Sequence, residues 1–455
     1  MRNIISIFTM LLISISVHSQ VAYHGSMPAY PYPIDVLQPN GNSVTITLKG
    51  NEAVHLATTE DGYTLIKNPM NQAWVYGVLN SEGNLVPSNV IASNLQQRTE
   101  EERIFISNLS KNLKFSKKQI QELTQNSVLK SQNAVSGFPT TGTVNMLVIL
   151  VNFNNTTTTY TQTNFDNLMN QAGYNYQSAT GSFKDYYLAA SYNQLTINST
   201  VIGWVTVNHP HDYYGDQSMW GQLAIDAINA ANAAYPSIDF SQFDNNNDGI
   251  IDGIAIFHQG PGQEATGNTN DVWSHTSSVY NSNIVIDGVR AGTYTMQPEK
   301  LSTSSSMITA GVMIHEFGHN LGLPDMYDTD YSSDGTGNWE VMAGGSWLNS
   351  GRTPPIHNAW SKSTFGWITP VTLTNPGTYT LNNNYTNTTI YKVTTSTTNE
   401  YFLLENKQKT SGTWNAYIPG HGMLIWHIDG SYINSHWSAN TVNDDENHQG
   451  IDLEE

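Results

Sequence analysis

The chain contains no cysteine, which excludes disulfides, thiolate metal ligands and cysteine nucleophiles. Positive charge is scarce: Lys and Arg number 18 against 37 Asp and Glu, for a formal net charge of −19. A generally basic nucleic-acid binder is thereby excluded, because neutralising phosphates requires clustered Lys and Arg. Charged residues of both signs make up only 12%, about half the ~25% usual for a soluble domain. After the amino-terminal region no apolar run reaches the ~18 residues that mark a bilayer span, so no transmembrane segment is expected. What is present suffices for a sizeable core: 38% hydrophobic and 11% aromatic residues in 455, a length that suggests roughly three units at about 150 residues each.

The amino terminus has the layout of a secretory signal peptide. Arg2 supplies a positive start, Ile4 to Ile15 an apolar stretch, and Val17 and Ser19 small residues at −3 and −1. Residues 1–19 are expected to be removed before Gln20, giving a secreted, extracellular protein. A secreted chain without cysteine must be stabilised by its core or by metal ions, and the lack of cysteine fits a bacterial source.

Charge divides the rest unevenly. Residues 1–136 carry 10 Lys/Arg and 9 Asp/Glu, whereas residues 137–455 carry 8 and 28. The change falls near the polar, Gly- and Pro-containing stretch Ser131 to Gly142. Before it, Ser43 to Leu85 alternates in short strand-like runs, and Leu95 to Lys130 reads as one or two amphipathic helices. Residues 20–136 are therefore expected to form a β-rich piece with a helical connector, a propeptide if the remainder is an enzyme. Residues 137–368 open with a buried strand, Val144 to Phe153, and continue with helices around Ser182 to Ala190 and Trp220 to Tyr235. Residues 369–455 return to short strands (TYTLNN, TIYKVTT, EYFLLEN), a β-rich C-terminal subdomain expected to continue beyond Glu455. The class is α+β, a mixed sheet carrying an active-site helix.

Chemistry concentrates at residues 307 to 347. His315 and His319 lie four apart on an apolar helical segment, so both imidazoles leave one face and can hold one zinc. Glu316 sits about 100° round that helix, placed to activate a zinc-bound water as general base without occupying a coordination position. Gly322 permits a sharp αL reversal, Pro324 stops any continuation, and Asp325 arrives ten residues after His315 as the expected third ligand. Asp325 could instead orient a histidine, with Glu340 or Glu405 as the substitute ligand. Met342, in the Gly-following turn NWEVMAGG, is expected to form an apolar floor beneath the zinc.

The stretch HEFGHNLGLPDMYD followed by NWEVMAGGSW resembles the secreted immune inhibitor A family of bacterial zinc metalloproteases. Similar stretches are Gly181 to Leu195, His258 to Glu264, Asp271 to His275, Glu405 to Lys407 and Gly420 to Asp429, and the amino-terminal β-rich piece resembles that family's propeptide. The resemblance implies a metzincin-like zinc endopeptidase made as a zymogen, with His315 and His319 as ligands and Glu316 as catalytic base. No Tyr stands two residues after Met342, so the oxyanion partner is unassigned. No cysteine switch can operate. Latency would require a carboxylate, His24, His55 or the amine freed at Gln20 to block the metal, with the propeptide as the enzyme's own inhibitor.

A second metal signal lies upstream. Asp244, Asn246, Asp248 and Asp252 offer oxygen donors at positions 1, 3, 5 and 9 of a loop with Gly249 at position 6, and the Ile250 carbonyl fits position 7. Position 12 is Ala255 rather than the bidentate Glu of an EF-hand, so a weaker, structural calcium site is expected. The function expected from these residues is zinc-dependent hydrolysis of peptide bonds in protein substrates. Two rival readings are a catalytically dead, calcium-stabilised surface adhesin on a protease scaffold, and a zinc amidase acting on a non-protein substrate.

Overall fold

A computed structural model describes residues 24–126, 137–215, 217–302, 306–329 and 331–454. The expected signal peptide, Gln20 and the first half of the Ser131–Gly142 linker lie outside the described residues. The described residues form a mixed α+β structure containing four sheets. The central sheet runs in the order Gly25–Ser26, His275–Ser278, Thr293–Lys300, Ile254–Pro261, Gly142–Asn152, Leu195–Thr206. Its last four strands are mutually parallel, while His275–Ser278 and then Gly25–Ser26 are added antiparallel.

The strand Gly142–Asn152 shows why the sheet is central. Its side chains alternate faces with period two. Met146, Val148 and Leu150 join one buried cluster, which contains Val312, Ile314 and Phe317 of the helix Ala310–Asn320. Leu147, Ile149 and Val151 join another, with Leu223 and Ala227 of the helix Trp220–Ala234. An uninterrupted apolar run is what a strand covered on both faces requires.

The amino-terminal piece is a six-stranded antiparallel meander from Ile34–Leu37 to Leu85–Ile91, with neighbours in sequence order. Its Val44, Ile46, Leu48 and Tyr76 bury into the same cluster as Ile149 and Trp220. The expected amphipathic stretch after it forms two short helices, Glu100–Ile106 and Lys117–Asn126; the Thr99 side chain caps the first by accepting from the Glu102 amide.

The carboxy-terminal strands Val371–Thr372, Tyr391–Thr394, Glu400–Lys407, Gly422–Asp429 and Ile451–Leu453 form one sheet. Two details differ from expectation. Leu403, Trp426 and Ile428 enter the core of the active-site helix, so this sheet is packed into the catalytic unit and has no core of its own. The TYTLNN stretch joins no ladder beyond a bridge between Asn383 and Asn406; Tyr379 stays exposed, its ring 5.5 Å from that of Tyr391.

Candidate active site

The helix Ala310–Asn320 is buried along its whole length and packs on the central sheet, chiefly against the strands Thr293–Lys300 and His275–Ser278. It ends where Gly322 takes a φ of +92°, a conformation that favours glycine, and the Leu323 amide turns back to donate to the Gly318 carbonyl at 3.0 Å. That reversal carries Asp325 under the two histidines. Asp325 Oδ1 lies 3.0 Å from His315 Nε2 and 3.3 Å from His319 Nε2, with all three side chains buried. Glu340 and Glu405, the alternative third ligands, are engaged elsewhere. Glu340 accepts from His357 Nδ1 at 2.8 Å and the Asn358 amide at 2.5 Å. Glu405 accepts from Trp426 Nε1 at 2.7 Å and Asn384 Nδ2 at 2.5 Å.

The hydrogen-bond partners settle which nitrogens face inward. His315 Nδ1 donates to the Val341 carbonyl at 2.9 Å and His319 Nδ1 to the Leu323 carbonyl at 2.8 Å. A carbonyl can only accept, so each Nδ1 carries a proton, and each Nε2 is the nitrogen turned towards Asp325. Two Nε2 atoms and a carboxylate oxygen thus converge in a buried site; His319 Nε2 and Asp325 Oδ1 have no hydrogen-bond partner. Two imidazoles with one carboxylate is a donor set suited to zinc. Burial pushes the Asp325 carboxyl up, but the two imidazoles outweigh it and hold the group well below the ordinary carboxylate range.

Glu316 points to the neighbouring edge strand, where the Thr276 hydroxyl lies 2.8 Å from its Oε2, while its Oε1 is buried without a partner. Burial pushes its carboxyl well above the usual value, and the Asp325 charge adds to that. A dication beside it would act in the opposite direction. Met342 lies behind the helix, where a β-carbon at Gly318 would collide with its sulfur, and its carbonyl accepts from the Met326 amide at 2.8 Å. The turn that holds Met342 therefore also fixes Val341 against His315 and Met326 beside Asp325.

Three features of the site were not foreseen from sequence. Asn440, from the segment after the carboxy-terminal sheet's fourth strand, donates to Asp325 Oδ2 at 2.6 Å and accepts from the Asp325 amide at 2.7 Å. The strand Gly25–Ser26 lies directly over the donor set: a β-carbon on Gly25 would overlap the His319 ring, and the Ser26 carbonyl is 3.3 Å from His315 Nε2. Tyr327 donates its hydroxyl to that same carbonyl at 2.9 Å. Asn440 is 115 positions from Asp325 and Ser26 lies 289 from His315, so no local spacing links them. Tyr327 belongs to the motif stretch itself, two residues past Asp325 and well before Met342. Of the groups expected to obstruct the metal, His55 instead donates to the Asn51 carbonyl at 3.0 Å and packs on Trp273. His24 is not among the residues that converge with His315, His319 and Asp325.

The upstream loop brings Asp244, Asp248 and Asp252 together, with carboxylate oxygens within 4.8 Å of one another. The Asp248 and Gly249 amides donate to Asp244 at 3.1 and 2.9 Å, and the Ile250 amide to Asp248 at 2.9 Å. Asn246 donates to Asp248 at 3.2 Å. Asp252 is the buried member. Burial, and then the Asp248 and Asp244 charges, raise it to about 7 against the opposing Asn245 hydrogen bonds. Its Oδ1 has no hydrogen-bond partner.

Comparison with known proteins agrees with this geometry. Immune inhibitor A of Bacillus thuringiensis subsp. alesti is 34% identical over 225 residues, covering 40% of this chain and 31% of that protein. The pre-pro-metalloprotease PrtV of Vibrio cholerae serotype O1 is 29% identical over 219 residues, covering 40% of this chain and 23% of that protein. The matched region is thus a third or less of the length of these relatives. No helix among the described residues is long and apolar enough to cross a membrane. Residues 143–368 match the immune inhibitor A peptidase M6 catalytic domain, and the chain, with its two histidines, aspartate and flanking glutamate inside that region, carries a metallopeptidase domain of this family.

Proposed function

We propose that the protein is a secreted zinc endopeptidase of metzincin type, held latent by its own residues 20–136. The observation that carries this reading is the convergence of two Nε2 atoms and the Asp325 carboxylate beside a glutamate with a free oxygen. His315, His319 and Asp325 would hold the ion. Zinc, when bound, would supply a positive charge that acidifies water and polarises a peptide carbonyl. Glu316 Oε1 would take a proton from the attacking water as its oxygen adds to the carbonyl carbon of a protein substrate. The same carboxyl would return the proton to the amide nitrogen as the C–N bond breaks, leaving a carboxylate and an amine. Thr276, hydrogen-bonded to the other oxygen, would orient Glu316 throughout. Met342 would close the floor of the site.

Latency is supported by the Gly25–Ser26 strand, which fills the place a substrate would take. Export is supported by the signal-like residues 1–19 and by the bacterial relatives, one of which is named as a pre-pro-protein. The carboxylates of Asp244, Asp248 and Asp252, with Asn246 and the Ile250 carbonyl, would bind calcium and brace a chain that has no disulfide.

The test is cleavage of casein by the processed protein. Wild type should cleave it, a zinc chelator should stop the reaction, and zinc should restore it. Glu316→Ala should retain zinc and lose nearly all turnover. Ordinary activity in that variant would overturn the mechanism.

A further inference from the structure

The amino-terminal strand shows more than obstruction, because it delivers one peptide carbonyl to the donor set in an extended backbone. Gly25 and Ser26 pair antiparallel with Thr276 and His275 on the edge strand, and the Met27 amide continues the pairing by donating to the Ser274 carbonyl at 3.2 Å. Past the site, Trp273 Nε1 donates to the Met27 carbonyl at 2.7 Å and Trp347 Nε1 to the Pro28 carbonyl at 2.8 Å. The chain from Gly25 to Pro28 is therefore held at four backbone positions, as an extended peptide substrate would be, with the Ser26 hydroxyl bonded to Glu52 and the Met27 side chain buried besides. Within it, the Ser26 carbonyl is the one that faces His315 Nε2, and it accepts from Tyr327.

We propose that Tyr327 is a catalytic residue, donating its hydroxyl to the carbonyl oxygen of the scissile bond and stabilising the negative charge that grows there during attack. The inference rests on the hydrolytic reading above. Hydrolysis turns that carbonyl oxygen into an oxyanion, and a preorganised donor about 2.7–3.1 Å away in a dry site is the arrangement that stabilises it. Tyr327 lies 2.9 Å from the carbonyl oxygen held in this place, within donor reach of the oxyanion such a carbonyl would become, and it is buried. Its backbone is fixed on both sides: before it the Met326 amide donates to the Met342 carbonyl and the Met326 carbonyl accepts from the Thr336 amide at 2.9 Å, and after it the Asp328 carbonyl accepts from the Tyr331 amide at 3.1 Å. The ring lies near that of His315, with centroids 6.4 Å apart and planes inclined by 27°. The hydroxyl is thus held by the same turn that fixes Asp325 and Met342, and needs no movement to meet a carbonyl arriving along the edge strand.

A tyrosine that merely clamps the amino-terminal strand and one that serves the reaction make opposite predictions. Tyr327→Phe is prepared as the full chain, loaded with zinc, and processed in place by the protease treatment used for wild type. Zinc per chain should be unchanged. Before processing, hydrogen exchange at the amides of residues 25–27 should be about fivefold or more faster, reflecting the lost bond to Ser26. After processing, kcat should fall about 100-fold or more, with KM within about threefold of wild type. A variant that exchanges faster yet keeps kcat within threefold of wild type, or exceeds it, overturns the proposal and leaves Tyr327 as a clamp.

If the phenylalanine variant fails to hold zinc, 3-fluorotyrosine at position 327 keeps the ring and hydroxyl and alters only the acidity of the latter. A kcat shifted twofold or more at constant KM then supports the donor, and an unchanged kcat overturns it. Glu316→Ala, run in parallel, separates the two levels of inference. Turnover surviving in it removes the hydrolytic reading itself, whereas a dead Glu316→Ala beside a fully active Tyr327→Phe removes only the tyrosine.

Discussion

Replacing Asn440 by glycine tests whether a residue outside the matched catalytic region sets the metal affinity. Asn440 has φ +56°, so alanine there would add backbone strain, whereas glycine adopts that conformation freely and removes only the side chain. What disappears is a hydrogen bond to the Asp325 carboxylate at 2.6 Å and one from the Asp325 amide at 2.7 Å. A bond to a charged group contributes about 1.5–3 kcal/mol, and a neutral one about 0.5–1.5 kcal/mol. Only part of this reaches the metal, because the Ser26 amide also approaches Asp325 Oδ2, at 3.5 Å, and the backbone around Asp325 has other supports. Partners of this kind typically change metal affinity 10- to 100-fold, or about 1.4–2.8 kcal/mol. Competition with a chromophoric chelator at fixed pH should therefore show zinc bound 10- to 100-fold more weakly, with Asp325→Ala as the reference for outright loss of a ligand. A folded Asn440→Gly protein whose affinity stays within twofold of wild type would refute the idea that this side chain orients Asp325.

Gly25→Val should expel the amino-terminal strand from the donor set, since a β-carbon there overlaps His319; the unprocessed full chain should then gain at least tenfold in casein cleavage, and continued silence would count against latency by this strand. Millimolar calcium should raise the thermal stability of the wild-type protein over a chelated sample, by about 2.7 kcal/mol at a hundredfold excess over the dissociation constant. Asp252→Asn should abolish that difference, and a wild type indifferent to calcium would dispose of the site. Burial lowers His258 to about 3 and His275 to about 4, so each binds its proton less readily folded than unfolded. Their contribution is present above the unfolded pKa of about 6.5 and is lost as pH falls towards these values, of order 2 kcal/mol each between pH 7 and 5. Urea midpoints should therefore fall on acidification, and His258→Gln should lose its share; a variant as acid-sensitive as wild type would contradict the assignment.

The parts of the site that were legible in the sequence are those governed by local geometry. His315 and His319 share a face because a helix turns 100° per residue, and the reversal at Gly322 needs only the φ that glycine permits. The calcium-like loop is legible for the same reason, its donors spaced within nine residues. The strand Gly142–Asn152 could be read from an apolar run that only a doubly covered strand sustains. What escaped depends on contacts between distant segments. Nothing around Ser26 marks it as the residue over the two histidines and Asp325, because it meets them through its backbone, and any amino acid has that carbonyl. The embedding of the carboxy-terminal sheet was hidden because Leu403 and Trp426 alternate as any half-buried strand would, without indicating whose core they enter.

The edge strand His275–Ser278 raises a matter of colloidal behaviour. A strand that recruits an extended peptide through backbone groups is, by the same chemistry, an open template for other chains. Gly25–Ser26 supplies its missing neighbour in the full chain, so the least sociable surface of the sheet is the one present while the protein folds. If maturation removes that neighbour, two restraints remain. The strand is only four residues long, HTSS, and its side chains are polar and buried rather than displayed as an apolar face. A short polar edge can pair with a single passing strand while offering little length for stacking copies of itself, so an edge opened in that way would not become a seed for aggregation.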